Sequence, residues 1–118
     1  MSKIIINQKN EYILIPEFNG NKTLPEGNQM KVIVRRINRL ALQSQAVNAD
    51  GRFSIVDYTK SLVSRIENPF VISNGTTERV LTLDDIFKFP ELEDLSAEIF
   101  NFANKVQNEN GDIEPKNL

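Results

Sequence analysis

The chain contains neither cysteine nor histidine among its 118 residues. Without cysteine it has no disulfide and no thiolate metal site, and the composition fits a reducing compartment. Without histidine it lacks the side chain best suited to proton transfer near neutral pH, which is also the commonest metal ligand. We therefore expect a protein that is not an enzyme and holds no cofactor or metal. Chemistry based on carboxylates, or on serine and lysine, stays open as an alternative.

Long apolar runs are missing as well. Residues 1–16, MSKIIINQKNEYILIP, hold apolar runs of only three and four residues. A secretion signal needs a longer run, and a membrane-spanning helix needs about 20 apolar residues. We expect no membrane segment and a cytoplasmic location in the cell that makes the protein.

Length and composition predict one globular domain. With 40% hydrophobic and 25% charged residues, a chain of this size buries enough apolar surface for a core. Charge is uneven: residues 1–59 hold eight basic and five acidic side chains, whereas residues 60–118 hold six and eleven. This asymmetry favours head-to-tail contacts between copies through steering, although an ordinary solvated surface is the simpler explanation.

Short β-branched segments predict strands. Residues 3–7, 11–15 and 30–36 each read as a strand, and we expect the last two to pair in antiparallel fashion. Asn74-Gly75 between apolar β-formers predicts a hairpin near residues 70–81.

The segment at residues 16–29, PEFNGNKTLPEGNQ, holds two prolines, two glycines and three asparagines, which favour turns. A loop of this length between paired strands is uncommon and often functional. Phe18 and Leu24 are its apolar anchors. They either contact a protein partner or tuck under the loop and close the core.

Helical spacing of apolar residues predicts helices over residues 37–47 and 56–66, and the second stops before Asn68-Pro69. The NADG stretch at residues 48–51 resembles the middle of a calcium loop. Aligning Gly51 with the glycine of such a loop places Ala46 at the first ligand position, and alanine cannot coordinate a cation. We predict a helix C-cap or a turn there, and no metal site.

Two more helices are indicated after the hairpin. Thr82 is placed to cap the first, with Asp84 and Asp85 in its first turn, and Pro90 begins the second. The adjacent aspartates are explained by the positive end of a helix, without catalytic or metal chemistry. Apolar residues of the second helix recur at spacings of three and four and predict a buried stripe: Leu92, Leu95, Ile99, Phe102, Ala103 and Val106.

Three further phenylalanines, Phe87, Phe89 and Phe100, add more aromatic surface than one stripe needs. They predict either a contact surface for self-association or a protein partner, or a core that is wider on this side.

The predicted fold class is α+β. A small antiparallel sheet, made of the N-terminal strand pair plus the hairpin, packs with three to four helices, the last of which is amphipathic. Residues 1–106 form the domain and the polar residues 107–118 a flexible C-terminal tail.

A basic group, Lys31, Arg35, Arg36 and Arg39, raises the alternative of nucleic-acid binding. The acidic pI near 5.2 and the lack of interleaved aromatic residues favour a solvated or protein-facing patch instead.

Two stretches resemble the small tail-morphogenesis proteins of tailed bacteriophages. One is EYILIPEFNGNKTLPEGNQMKVIVRR, with PEFNGN at residues 16–21 and LPE at residues 24–26. The other is IENPFVISNGTTERVLTLDDIFKFPELEDLSAEIF together with the terminal EPKNL. Together they cover more than half of the chain, whereas residues 37–63 lie outside the resemblance.

The resemblance implies a non-enzymatic assembly factor of the tail assembly chaperone type. Such a factor binds the tail-tube or tape measure protein in the host cytoplasm, before or during tail polymerisation. Two alternatives stay open. One is a structural virion component, such as a head-tail connector, tail terminator or capsid decoration protein. The other is a small inhibitor of a host defence protein. The matched motifs transfer no individual functional residue.

Overall fold

A computed structural model describes residues 2–6 and 10–108, which form an α+β fold as predicted. The strands are β1 (Glu11–Leu14), β2 (Lys31–Arg35), β3 (Val63–Glu67), β4 (Val71–Ser73) and β5 (Glu78–Val80). The α-helices are α1 (Arg39–Gln45), α2 (Ile55–Leu62), α3 (Leu83–Ile86) and α4 (Glu93–Asn108), and short 3-10 helices span Phe18–Thr23, Glu26–Asn28 and Pro90–Leu92.

The main sheet is antiparallel in the order β1-β2-β3. Its central strand is covered on both faces, because Val32, Ile33 and Val34 are all fully buried. Val32 and Val34 face the core, where α4 packs across β2 and against α2. On the opposite face, an ion pair of 3.1 Å between Arg65 and Glu11 joins the two edge strands across β2.

The predicted pairing of β1 with β2 is confirmed, with Tyr12 opposite Val34. The helix predicted over residues 56–66 was wrong for its last four residues, 63–66. α2 ends at Leu62, and the chain continues directly as β3, which pairs with β2. Residues 63–66 have the apolar spacing of a helix, but the pairing with β2 about 30 residues away provides a backbone ladder that local spacing does not show.

The strand predicted over residues 3–7 was wrong for residues 3–6, the part of it that the structure describes. Residues 2–6 have no regular secondary structure and are exposed, and residue 7 lies outside the described residues. Their β-branched composition favours a strand, but a strand needs a partner, and the sheets of the described residues do not include this segment.

The predicted hairpin is confirmed as β4 and β5, which form a separate two-stranded sheet rather than joining the main one. Asn74 sets the turn, since its side-chain oxygen accepts hydrogen bonds from the backbone N–H of Thr76 and Thr77 at 2.9 and 2.8 Å. Gly75 follows with φ of 90°, in the left-handed region that glycine tolerates.

The predicted helix starts are confirmed at the C-terminal side. Thr82 caps α3 in a reciprocal capping box with Asp85. Pro90 opens the turn that leads into α4, and most of the predicted stripe is buried: Leu92, Leu95, Ile99, Ala103 and Val106. α4 continues two residues beyond Val106, so Gln107 and Asn108 belong to the helix rather than to the predicted tail. The remainder of that tail, residues 109–118, lies outside the described residues.

Among residues 2–6 and 10–108, no helix is both long and apolar enough to cross a membrane.

Candidate protein-binding surface

The loop at residues 16–29 is closed by the buried side chain of Asn21. Its amide nitrogen donates to the carbonyl oxygens of Pro16 and Met30, both at 2.9 Å, and its oxygen accepts from the Met30 N–H at 2.7 Å. Asn19 and Gly20 precede it with φ of 54° and 71°, a left-handed pair that asparagine and glycine adopt more readily than other residues. The Asn-Gly-Asn sequence therefore has a structural purpose in this loop.

Two further side chains fasten the same loop to the domain. The carboxylate of Glu98 on α4 accepts hydrogen bonds from the backbone N–H groups of Glu17 and Phe18 at 2.8 and 2.9 Å. Asn68 donates to the carbonyl oxygens of Gly27 and Gln29. The loop is held at both ends.

The candidate contact residues of this loop have different surroundings. Phe18 is half-buried and packs against the core, with its ring centroid 6.3 Å from that of Phe70. Leu24 is exposed at the loop surface. Phe18 therefore packs under the loop and closes the core, whereas Leu24 is accessible to a partner.

The three candidate phenylalanines near α4 are all half-buried, and Phe100 contacts a different part of the molecule from Phe87 and Phe89. Phe89 packs against the core and lines a groove of about 480 Å³ between the hairpin and the start of α4, together with Ile72 and Leu92. Phe87 and Phe89 both line a second depression beside Pro90. Phe100 lies on the other side, against Tyr58 of α2.

Phe100 belongs to an aromatic row that crosses from α4 to the segment before α2. The ring centroids of Phe100 and Tyr58 are 6.2 Å apart, and those of Tyr58 and Phe53 are 5.9 Å apart, both in tilted arrangements. The Tyr58 hydroxyl donates to the side chain of Asn104 at 2.8 Å, so the central ring is anchored at its polar end. Phe53 is the outer ring, and 65% of it is exposed.

Other apolar side chains near Phe53 are also exposed. Val47 faces Phe53 in an isolated β-bridge, and Ile55 and Val56 follow in the first turn of α2. We define the apolar patch as Val47, Phe53, Ile55 and Val56. Scattered exposed apolar residues are normal, whereas neighbouring ones around an aromatic ring are typical of a contact surface.

The backbone beneath the apolar patch is fixed by local hydrogen bonds. The side-chain oxygen of Asn48 accepts from the N–H groups of Asp50 and Arg52 at 2.9 and 3.1 Å. Ser54 donates its backbone N–H to Ala46 at 2.9 Å and caps α2 through its hydroxyl, which accepts from the Asp57 N–H. The NADG stretch is therefore a hydrogen-bonded turn, as predicted, and it holds the patch in place.

The apolar patch was not predicted from the sequence, because Val47 and Val56 were assigned to helices over residues 37–47 and 56–66. The sequence pattern of α2 does not reveal the patch, because Ile55 lies four residues before the buried Thr59 and seven before the buried Leu62, on the same stripe of the helix. This stripe is buried at Thr59 and Leu62 but open at the first turn, where Ile55 is exposed.

The adjacent aspartates Asp84 and Asp85 have separate structural partners. Asp85 is buried and accepts two hydrogen bonds of 2.6 Å from Arg79, as well as bonds from the backbone N–H and hydroxyl of Thr82. The guanidinium of Arg79, followed by the Thr82 N–H, holds the pKa of Asp85 well below its usual range. Asp84 is exposed and pairs with Lys60. Both aspartates are accounted for by helix-start and ion-pair contacts.

Within the part of the chain that the structure describes, no three acidic side chains are grouped so as to hold a metal ion.

Comparison with protein-family models, curated proteins and solved structures gave no match to this chain.

Proposed function

We propose that this protein is a non-enzymatic phage assembly factor that binds a tail protein through the apolar patch. The observation that carries the binding role is the exposed aromatic side chain of Phe53, with the exposed Val47 across the β-bridge and the exposed Ile55 and Val56 at the start of α2. The resemblance of residues 11–36 and 66–100 to tail-morphogenesis proteins supports a partner among tail proteins. The partner is then the tail-tube or tape measure protein, met in the host cytoplasm during tail assembly.

The size and chemistry of the patch suit a binding anchor. Burying apolar surface stabilises a complex by about 25 cal/mol per Å², and aromatic residues near the centre of an interface account for much of its binding energy. Phe53 has the most exposed aromatic ring of its row and is backed by Tyr58 and Phe100, so its orientation is set before a partner arrives. Such preorganisation lowers the entropy lost on binding.

The test is a binding measurement with purified tail-tube and tape measure proteins. We expect Phe53→Ser to weaken binding by about tenfold to a hundredfold, because it removes an interface anchor. Val71→Ser is the matched control, since Val71 is 61% exposed but lies on the hairpin, away from the patch. Unchanged binding by the Phe53 variant, or an equal loss in both variants, contradicts the proposal.

A structural virion component is the second candidate function. The exposed isoleucines at residues 4–6 favour it, because in a particle they are available to order against neighbouring subunits. Mass spectrometry of purified particles separates the two functions. A stoichiometric amount of the protein in mature virions indicates a structural component, and its absence supports the assembly factor.

An inhibitor of a host defence protein uses the same kind of patch on a different partner. Capture of a host defence enzyme by the wild-type protein, lost with Phe53→Ser and accompanied by no binding to tail proteins, assigns the patch to that role.

A further inference from the structure

The isoleucine segment at residues 4–6 is the most exposed apolar stretch of the described chain. Ile4, Ile5 and Ile6 are 89%, 85% and 71% exposed. Their β-branched side chains favour an extended strand, yet the segment pairs with no strand among the described residues. It has the composition of a strand without the partner that a strand requires.

Strand β3 offers a free edge for such a segment. In the order β1-β2-β3, one edge of β3 is bonded to β2 and the other faces away from the sheet. Four consecutive residues, 63–66, line a groove of about 250 Å³. Because alternate residues of a strand point to opposite faces, a groove lined by consecutive residues follows the strand's edge.

The far wall of this groove is mostly apolar, with the polar Thr82 between two leucines. Leu81 and Leu83, at the end of the hairpin and the start of α3, face β3 across it, and Pro69 closes one side. An extended segment placed there gains backbone hydrogen bonds from β3 and contacts for every second side chain from the wall.

We propose that the isoleucine segment of one copy adds as a fourth strand to the β3 edge of a second copy. Ile4 and Ile6 then occupy the groove beside Ile66, and Ile5 lies on the opposite face beside Arg65. This self-association uses a different surface from the apolar patch. It does not depend on the proposed function, so failure of one proposal does not contradict the other.

The short link to β1 favours a second copy over the chain's own β3. Five peptide steps separate Ile6 from Glu11 and span about 17 Å when fully extended. A strand beyond β3 lies three strand spacings from β1, about 14 Å, and the link must also pass around the intervening strands. Within one chain the link is nearly taut, whereas a second copy imposes no such limit.

Charge sets the direction of the added strand. The segment carries Lys3 and no acidic residue, and Glu67 lies at the end of β3. Placing Lys3 beside Glu67 makes the added strand antiparallel to β3, with Ile4 opposite Ile66 and Ile5 opposite Arg65. Glu67 already pairs with Arg65, so Lys3 adds a second cation beside it. The basic N-terminal and acidic C-terminal halves of the chain also favour contact between the segment of one copy and the second half of another.

The donor and acceptor surfaces differ, so the contact is heterologous and successive copies form a ring or an open chain. The added ladder is short, because β3 has only five residues and a β-bulge in its pairing with β2 lies near Ser64. With so short a ladder, we expect association that increases with protein concentration.

Disulfide trapping tests the contact directly, because the natural chain has no cysteine. Chains carrying Ile5→Cys are mixed with chains of a different tag length carrying Arg65→Cys, and mild oxidation is followed by gel. We expect mixed dimers to form at least tenfold faster than with Ser73→Cys, an exposed control site on the hairpin. Equal rates at the two sites overturn the proposal. So does a doubly substituted chain, Ile5→Cys with Arg65→Cys, that cross-links only within itself.

Sedimentation equilibrium gives a second measurement that does not depend on cross-linking. Ile4→Ser and Ile6→Ser should each weaken association at least tenfold, and Ile5→Ser should weaken it less, because only the first two occupy the groove. An equal effect at all three positions indicates unspecific apolar clustering and overturns the proposal, as does a wild-type protein that is monomeric at all concentrations. Phe53→Ser should leave self-association unchanged.

Discussion

The side chain of Asn21 and the backbone of Met30 hold each other through two hydrogen bonds, one in each direction, of 2.7 and 2.9 Å. Both residues are completely buried. A third bond from Asn21 reaches the Pro16 carbonyl, so one side chain joins the chain leaving β1 to the chain approaching β2. Asn21 therefore anchors the loop at residues 16–29 to the folded core.

Replacing Asn21 should destabilise the whole domain. In Asn21→Ala, the Met30 N–H and two buried carbonyl oxygens lose their partner, which we expect to lower the free energy of unfolding by about 2 to 3 kcal/mol. Urea denaturation followed by circular dichroism measures it. Asn28→Ala, at an exposed position of the same loop, should change the stability little. A loss below about 0.5 kcal/mol for Asn21→Ala contradicts the closed loop.

Glu98 should control the opening of this loop. Glu98→Ala removes the acceptor of the Glu17 and Phe18 N–H groups, and we expect those two amides to exchange with solvent about tenfold faster or more. The expected loss of unfolding free energy is about 1 to 2 kcal/mol. Glu91→Ala, an exposed glutamate just before α4, is the control. Hydrogen exchange resolved by residue measures both. If the Glu17 and Phe18 amides exchange in Glu98→Ala as slowly as in the wild type, Glu98 does not hold the loop closed.

Local signals in the sequence predicted the parts of the fold that depend on neighbouring residues. Thr82 and Asp85 are three residues apart, and their capping box needs no other part of the chain. The Asn74 turn is equally local. β3 was missed because its pairing partner is β2, a relationship that the spacing within residues 63–67 does not contain.

The candidate site was predictable only in part, for the same reason. Phe18 and Phe53 are both phenylalanines next to turns, yet Phe18 packs against Phe70 in the core and Phe53 stands exposed. Which of them is covered depends on how distant segments pack, and composition does not carry that information. Within α2, Ile55 lies on the same stripe as the buried Thr59 and Leu62, so the spacing alone does not show that Ile55 is exposed.

The C-terminal limit of the domain can be tested at Gln107. Its side chain donates to the Ile37 carbonyl at 2.9 Å and accepts from the Ile37 N–H at 3.1 Å, which ties the last turn of α4 to the start of the segment before α1. Gln107→Ala should lower the free energy of unfolding by about 1 to 3 kcal/mol, because the partly buried Ile37 groups lose both partners. Asn101→Ala, exposed on the same helix, serves as the control in the same urea titration. If Gln107→Ala is as stable as the wild type, residue 107 belongs to the tail and not to the domain.

The ion pair of Asp85 with Arg79 should make stability depend on pH in the acid range. Because the folded protein holds the pKa of Asp85 below its ordinary value of 3.8, the unfolded chain binds the proton more readily. The contribution of Asp85 is complete well above pH 3.8 and is lost as the pH falls through and below that value. Urea midpoints measured between pH 7 and pH 2 report this loss.

Asp85→Asn should remove that part of the pH dependence. The variant should be less stable than the wild type at pH 7, because an amide offers Arg79 and Thr82 a weaker acceptor than a carboxylate does. Its stability should then fall less steeply than that of the wild type as the medium is acidified. Asp84→Asn is the matched control, since Asp84 is exposed and pairs with Lys60 at the surface, where ion pairs stabilise little. If Asp84→Asn flattens the acid dependence as much as Asp85→Asn does, the bond with Arg79 is not its source.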